Sequence, residues 1–215
     1  MGSAKSKMET DYELIAMTYH EASHAICALF NYMKIYQVYV MCSKYDDGHA
    51  LYEIYDSQTI ESKILSKILL IFEIQTLYAG VVGEKIYYKN ICGSDAFPIN
   101  LRIGSSDDIS TAAQIISKNN LAEAGKPRLI FKKEIQNDTK KILLEYWDDV
   151  RLIAHMLYKQ KELSFEDIKF CLTKKSKNSD FWKYRFKAIK SIYDKKHLSE
   201  ANLKNIILEN SIIVI

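Results

Sequence analysis

Proline is nearly absent from this chain: Pro98 and Pro127 are the only two in 215 residues, and glycine contributes only seven. Proline removes an amide donor and clashes with the preceding turn, and glycine costs about 1 kcal/mol at a helix interior position. A chain so poor in both is free to build long helices. Apolar residues make up 48% and charged residues 27%, enough to form a core, which excludes a disordered chain, a collagen-like repeat and a loop-rich disulfide scaffold. The length suits one domain with a small extension.

Periodicity supplies the elements. Thr10 and Glu13 have capping-box spacing, and Leu14, Met17, Ala25, Ile26 and Leu29 follow at helical intervals, so a first helix is predicted over about residues 11 to 32. The β-branched and aromatic run Ile35 to Met41, a turn at Asp46-Asp47-Gly48, and a return over Ala50 to Tyr55 predict one small hairpin. One long helix or two stacked helices should follow from Ser57 to about Tyr88, where Gly80 and Gly83 allow close packing. Asn90 to Gly104 reads as a loop, and Ser105 with Asp108 three residues on as the next helix start, stopped at Gly125 and Pro127. A further helix is predicted from about Leu129 to Gln160, another opening at Ser164 with Asp167, and two or so in the tail. The expected fold is therefore mainly α, a helical domain with one small β-hairpin and a helical C-terminal extension.

Charge is uneven. Lys169 to Lys196 holds ten Lys and Arg against Asp180 and Asp194, a net of +8, which leaves −5 for the rest of a chain whose total is +3. Solvated helix faces account for this better than a nucleic-acid surface, since no nucleic-acid motif accompanies it. The longest run free of charged residues, Ala22 to Met33, is 12 residues, short of the ~18 that suggest a membrane span. With no apolar segment at Met1 to Lys7 either, we read the chain as cytoplasmic without a membrane anchor. Cys27, Cys42, Cys92 and Cys171 contain no C-x-x-C pair, so reduced thiols are expected and any zinc must be held by other side chains.

Such side chains stand in the first helix. Tyr19-His20-Glu21-Ala22-Ser23-His24-Ala25 contains H-E-x-x-H, a spacing that puts His20 and His24 on one helical face, one turn apart, where both can reach one metal ion. Zinc takes imidazole nitrogens at ~2.0 Å and acidifies a bound water toward a pKa of ~7. Glu21, beside His20, is then placed to take a proton from that water, the chemistry of metallopeptidases. A metzincin would carry a glycine at the position of Cys27 and a third histidine at Phe30, so that subclass is excluded. His49, Glu53, Glu73, Glu84, Asp107, Asp108 and His155 all remain open as the third ligand.

Three ordered segments resemble the proteolytic domain of the FtsH family of ATP-dependent zinc metalloproteases. Residues 19–25 are similar to its Y-H-E-A-G-H-A, Leu77-Tyr78-Ala79-Gly80-Val81-Val82-Gly83-Glu84 resembles its L-x-G-G-R-x-A-E helix, and Gly104 to Ala112 resembles its G-A-x-N-D-I-x-x-A. Leu143 through Ile168 is similar to the long helix and shorter helix near that domain's end. The resemblance implies a zinc metallopeptidase domain over residues 8–170, with His20, His24 and Asp108 as zinc ligands and Glu21 as catalytic base; residues 171–215 form the basic helical extension, which has no family counterpart. Ser23, Val81 and Asp107 depart from the family's pattern, none of them at a ligand. No G-x-x-x-x-G-K-S/T motif occurs, so the family's ATP-driven motor is missing from these residues, as are its membrane helices.

The expected function is a zinc-dependent endopeptidase, ATP-independent by itself, cutting peptides or unfolded and flexible protein segments. Family resemblance adds that substrate pairs with the hairpin edge near Tyr36, Val38 and Val40, and that the chain forms homo-oligomers as the family's rings do. The alternative is a degenerate FtsH-like module that keeps the fold and works by binding a partner.

Overall fold

A helix buried on every side has to be built from small and apolar residues, and the C-terminal half of the first helix is. In the computed structural model the described residues are 2–40, 48–53, 60–91, 93, 105–122, 127–194 and 199–208, with the backbone alone for 2–11, 91 and 105. Helix α1 spans Gly2–Phe30, and every residue from His20 to Leu29 is buried. Ala22, Ala25 and Ala28 let neighbours approach while Ile26 and Leu29 fill the space between them. Because α1 runs through Thr10, the capping-box spacing there does not mark its start. It ends in a Schellman turn: Met33 N–H donates to Ala28 O at 2.8 Å, Tyr32 N–H to Leu29 O at 3.1 Å, and Tyr32 takes φ +62.

Strand β1, Lys34–Tyr39, follows, then β2, His49–Glu53, antiparallel to it with Val38 opposite Ala50. The expected hairpin is present, its turn residues Asp46 and Asp47 lying outside the described residues. A third strand, β3, Glu162–Ser164, was not predicted; it pairs antiparallel to β1, Leu163 opposite Val38. Three residues with a single buried side chain, Leu163, carry too little alternation to be read as a strand. The order β2-β1-β3 makes β1 the central strand.

Helix α2, Lys63–Ile91, is one unbroken helix packed along α1. It is apolar enough by length and composition to cross a membrane, with mean hydropathy 1.5 over its richest window, two-thirds of which is buried inside the fold. Charge-free run length missed this, because Lys67 and Glu73 interrupt the run while the apolar residues around them keep its average high. Helix α3, Ser105–Lys118, packs against α2, and α4, Arg128–Glu145, begins directly after Pro127. The expected helix over 129–160 is two: Tyr146 (φ −104, ψ 25) breaks it, and α5, Trp147–Gln160, continues beyond. That break turns the Tyr146 ring into a cluster with Phe30, Phe181 and Trp182 at centroid distances of 5.6, 4.8 and 5.3 Å.

Helix α6, Phe165–Lys174, opens with the capping box that Ser164 and Asp167 predict, both reciprocal bonds present. Helices α7, Ser179–Tyr193, and α8, Glu200–Leu208, complete the described chain. Much of the basic segment is solvated: Lys177, Lys183 and Lys190 pair with Asp148, Asp180 and Asp194 on exposed surfaces, worth little each. Arg185 differs. It is 2% exposed, with its guanidinium 3.7 Å from the Tyr32 ring and close to Phe30 and Phe181, a cation stacked on aromatic faces.

Helix α7 is pinned by a buried carboxylate. Asp149, 1% exposed, accepts hydrogen bonds from Ser176 Oγ, from Asn178 Nδ2 at 2.8 Å and from Trp182 Nε1 at 3.0 Å. Asp149→Ala is expected to cost about 2–3 kcal/mol, because three donors lose their shared acceptor and one of them, Trp182 Nε1, stays buried. Urea denaturation at neutral pH checks this; a change below about 0.5 kcal/mol would contradict the pinning role.

Candidate metal centre

Helices α1 and α2 approach closely because α2 offers glycine where α1 offers histidine. A Cβ built on Gly80 would lie 2.3 Å from His20 Nε2 and 2.4 Å from His24 Nε2, and one on Gly83 would lie 1.9 Å from Ser23 Oγ. Any side chain at Gly80 would occupy the space of both imidazoles. Thr76, Gly80, Gly83 and Glu84 share one face of α2, and that face backs the histidines.

Each imidazole is fixed from behind through its Nδ1. His24 Nδ1–H donates to the main-chain carbonyl of Thr76 at 2.7 Å, and His20 Nδ1–H donates to Glu84 Oε1 at 2.6 Å. A carbonyl can only accept, so His24 carries its ring proton on Nδ1 and turns a bare Nε2 forward; the Glu84 carboxylate sets the same tautomer on His20. The two Nε2 atoms are 2.9 Å apart, and Asp108 Oδ2, from the first turn of α3, lies 3.4 and 3.1 Å from them. Three electron-pair donors thus face one another, all within 4.8 Å, with His20 and His24 buried and Asp108 partly open to solvent.

Three acceptors facing one another favour a cation between them, a metal ion or a proton. Ligands at ~2.05 Å around a tetrahedral zinc are about 3.3 Å apart, close to the spacings found here, and two imidazoles with one carboxylate form a donor set that zinc accepts. The residues therefore fit a zinc ion, with Glu84 and Thr76 as the outer partners that orient its ligands. Without a metal, protons take the cation's place. Burial works against charge on His20, but Asp108, Glu84 and Glu21 outweigh it and hold its pKa well above the ordinary histidine value. Burial would likewise raise the Asp108 carboxyl, yet hydrogen bonds from His20 and His24 hold it well below the usual carboxylate range.

Glu21, 4% exposed, stands beside the cluster with its carboxyl raised mainly by burial, against the opposing pull of His20 and His24. Its side chain lies under the start of β2: a Cβ on Gly48 would be 2.8 Å from Glu21 Cγ. Cys27, one turn beyond the motif, is fully buried and its thiol is pushed up to about 12, the behaviour of a small core residue.

Of the open third-ligand candidates, only Asp108 joins the two histidines. Glu84 holds His20 from behind, Asp107 next to Asp108 is exposed, and Glu53 is exposed and accepts from the Tyr36 hydroxyl. Glu73 sits half-buried on α2, raised by burial, while His155 is exposed on α5 and His49 exposed at the start of β2. Whether Ser105 caps α3 lies outside the described side chains. The edge expected at Tyr36, Val38 and Val40 is not free: β1 is bonded to β2 on one side and over Gln37 to Tyr39 to β3 on the other, and Val38 and Val40 are buried. Sequence reasoning missed Thr76, whose contribution is a main-chain carbonyl without a side-chain signature, and the position of Gly48 over Glu21.

Compared with known proteins, the chain matches no protein-family model and no curated protein.

Because His20 is held protonated above its ordinary range, a zinc ion binding there would have to displace that proton. Zinc affinity is therefore expected to rise with pH by about tenfold per unit for each proton displaced, and to level off above the folded pKa of His20. Competitive chelator titrations from about pH 5.5 to 8 measure it, and an affinity independent of pH across that window would contradict the proton-filled cluster.

Proposed function

We propose that this chain is a zinc-dependent endopeptidase acting on peptides and on unfolded or flexible protein segments, the activity that its likeness to the FtsH proteolytic domain implies. The observation that carries the reading is the convergence of His20 Nε2, His24 Nε2 and Asp108 Oδ2 on one point beside a buried glutamate. His20, His24 and Asp108 would hold the ion, three protein ligands of the kind that leave a catalytic zinc an open position. Bound there, zinc supplies Lewis acidity, lowering the pKa of a water to ~7 and polarising a carbonyl oxygen.

The chain's own residues supply the rest. Glu84 and the Thr76 carbonyl keep both rings in the tautomer that presents Nε2, so the ligand geometry is formed before substrate arrives. Glu21 takes the proton from the attacking water at its carboxylate and returns it to the leaving amine. Its raised pKa suits it to both transfers, since a general base and acid works best near the operating pH. Burial keeps bulk water from competing for that proton. For substrate, β2 replaces β1 as the proposed edge: it begins over Glu21 and, among the described residues, pairs only with β1, so an extended peptide could add alongside it. Placement in the cytoplasm and assembly into homo-oligomers are parts of the same proposal.

Purified protein is expected to bind about one zinc per chain and to cleave a reduced, alkylated, unfolded protein. Glu21→Gln should retain the zinc and lose about 100- to 10,000-fold in cleavage rate. Elemental analysis alongside a fluorogenic peptide assay separates the possibilities. A zinc-loaded, folded wild type inert toward diverse unfolded chains would instead favour the binding module.

A further inference from the structure

A second cleft lies between the C-terminal half of α2 and α4, on a different side of α2 from the metal ligands. Successive residues on a helix point about 100° apart, so Glu84 can turn inward to His20 while its neighbour Lys85 faces this cleft. The cleft has a volume of about 550 Å³, within the range of small-molecule sites.

Its chemistry is two-sided. Lys85 from α2 and Lys140 from α4 bring two ammonium groups to it, and no carboxylate lines it among the described residues. Lys85 and Lys140 form no ion pair there, although the chain pairs other exposed lysines readily, Lys141 with Asp138 at 2.8 Å on the same helix. Like charges gathered at one cleft repel one another and focus a positive potential into it, which an anion relieves. Beneath them Val82 and Ile86 are buried, and Leu144 forms an aliphatic wall although 49% exposed. Gln136 and Asn137 add carboxamides that can donate to an oxyanion. A bare inorganic ion would use the charge and leave the aliphatic wall wet.

We propose that this cleft binds an organic anion of amphiphilic type, with a phosphate or carboxylate head held by Lys85 and Lys140 and an acyl tail laid on Val82, Ile86 and Leu144. The site is separate from the metal centre and does not depend on peptidase activity.

Calorimetric titration of the full chain tests this with dodecyl phosphate and dodecanoate, both below their micelle concentrations. Inorganic phosphate serves as the head alone and dodecyl maltoside as the tail with an uncharged head. Saturable binding of one amphiphile per chain is expected for at least one charged head, tighter than phosphate alone, with the better head identifying phosphate or carboxylate. Lys85→Glu and Lys140→Glu, both at exposed positions, should each weaken it about tenfold, with the circular dichroism melt unchanged. Neither charged amphiphile saturating, or dodecyl maltoside binding equally well, would overturn the proposal without recourse to any variant. Unchanged affinity in folded Lys140→Glu would overturn it too.

Discussion

The contact between α1 and α2 at Gly80 and Gly83 is the constraint on which the rest depends. Both helices are long and mostly buried, and they run together only because two glycines remove the side chains that would hold them apart. The space so opened is filled by His20, His24 and Ser23. Polar side chains at the centre of a core are costly unless each finds a partner, and here α2 provides them: Glu84 for His20 and the Thr76 carbonyl for His24. The helix contact that stabilises the fold is thus also the one that sets the ring tautomers.

Two of the three proposed ligands are held by this rigid pair, and the third comes from elsewhere. Asp108 belongs to α3, which packs on α2, and reaches the histidines from the side open to solvent. Ligand atoms presented from the packed core need little rearrangement to receive a cation, which is the condition for geometric control of a metal. Glu21 gains from the same packing. Surrounded by α1 and the start of β2, it is desolvated enough to hold a proton nearer neutrality than a surface glutamate would.

Much of this was legible in the sequence, for reasons that differ by residue. His20, Glu21 and His24 follow from a spacing that helix geometry turns into a shared face, and Gly80 and Gly83 stood out in an otherwise apolar run. The capping box at Ser164 and Asp167 is a local device and was read correctly, whereas the same spacing at Thr10 and Glu13 was overridden because the helix continued past it. Asp108 was not distinguishable from other acids by residue type alone, since what selects it is the docking of α3, a tertiary fact. The break at Tyr146 and the strand β3 escaped for a related reason: neither has a proline, a glycine or sustained alternation, and each exists because of what it packs or pairs with. That β1 is paired on both sides was not legible, because a hairpin alone does not reveal that a segment more than a hundred residues later will cover one of its strands.

The central claim is that His20, His24 and Asp108 together bind one zinc ion. X-ray absorption spectroscopy at the zinc edge of the loaded protein tests it most directly. The account predicts a first shell of nitrogen and oxygen only at ~2.0–2.1 Å, with the outer-shell scattering of two imidazoles, one of which disappears in His24→Ala. Sulfur scattering at ~2.3 Å, or a shell without imidazole, would contradict it by placing the metal on cysteine or on surface carboxylates.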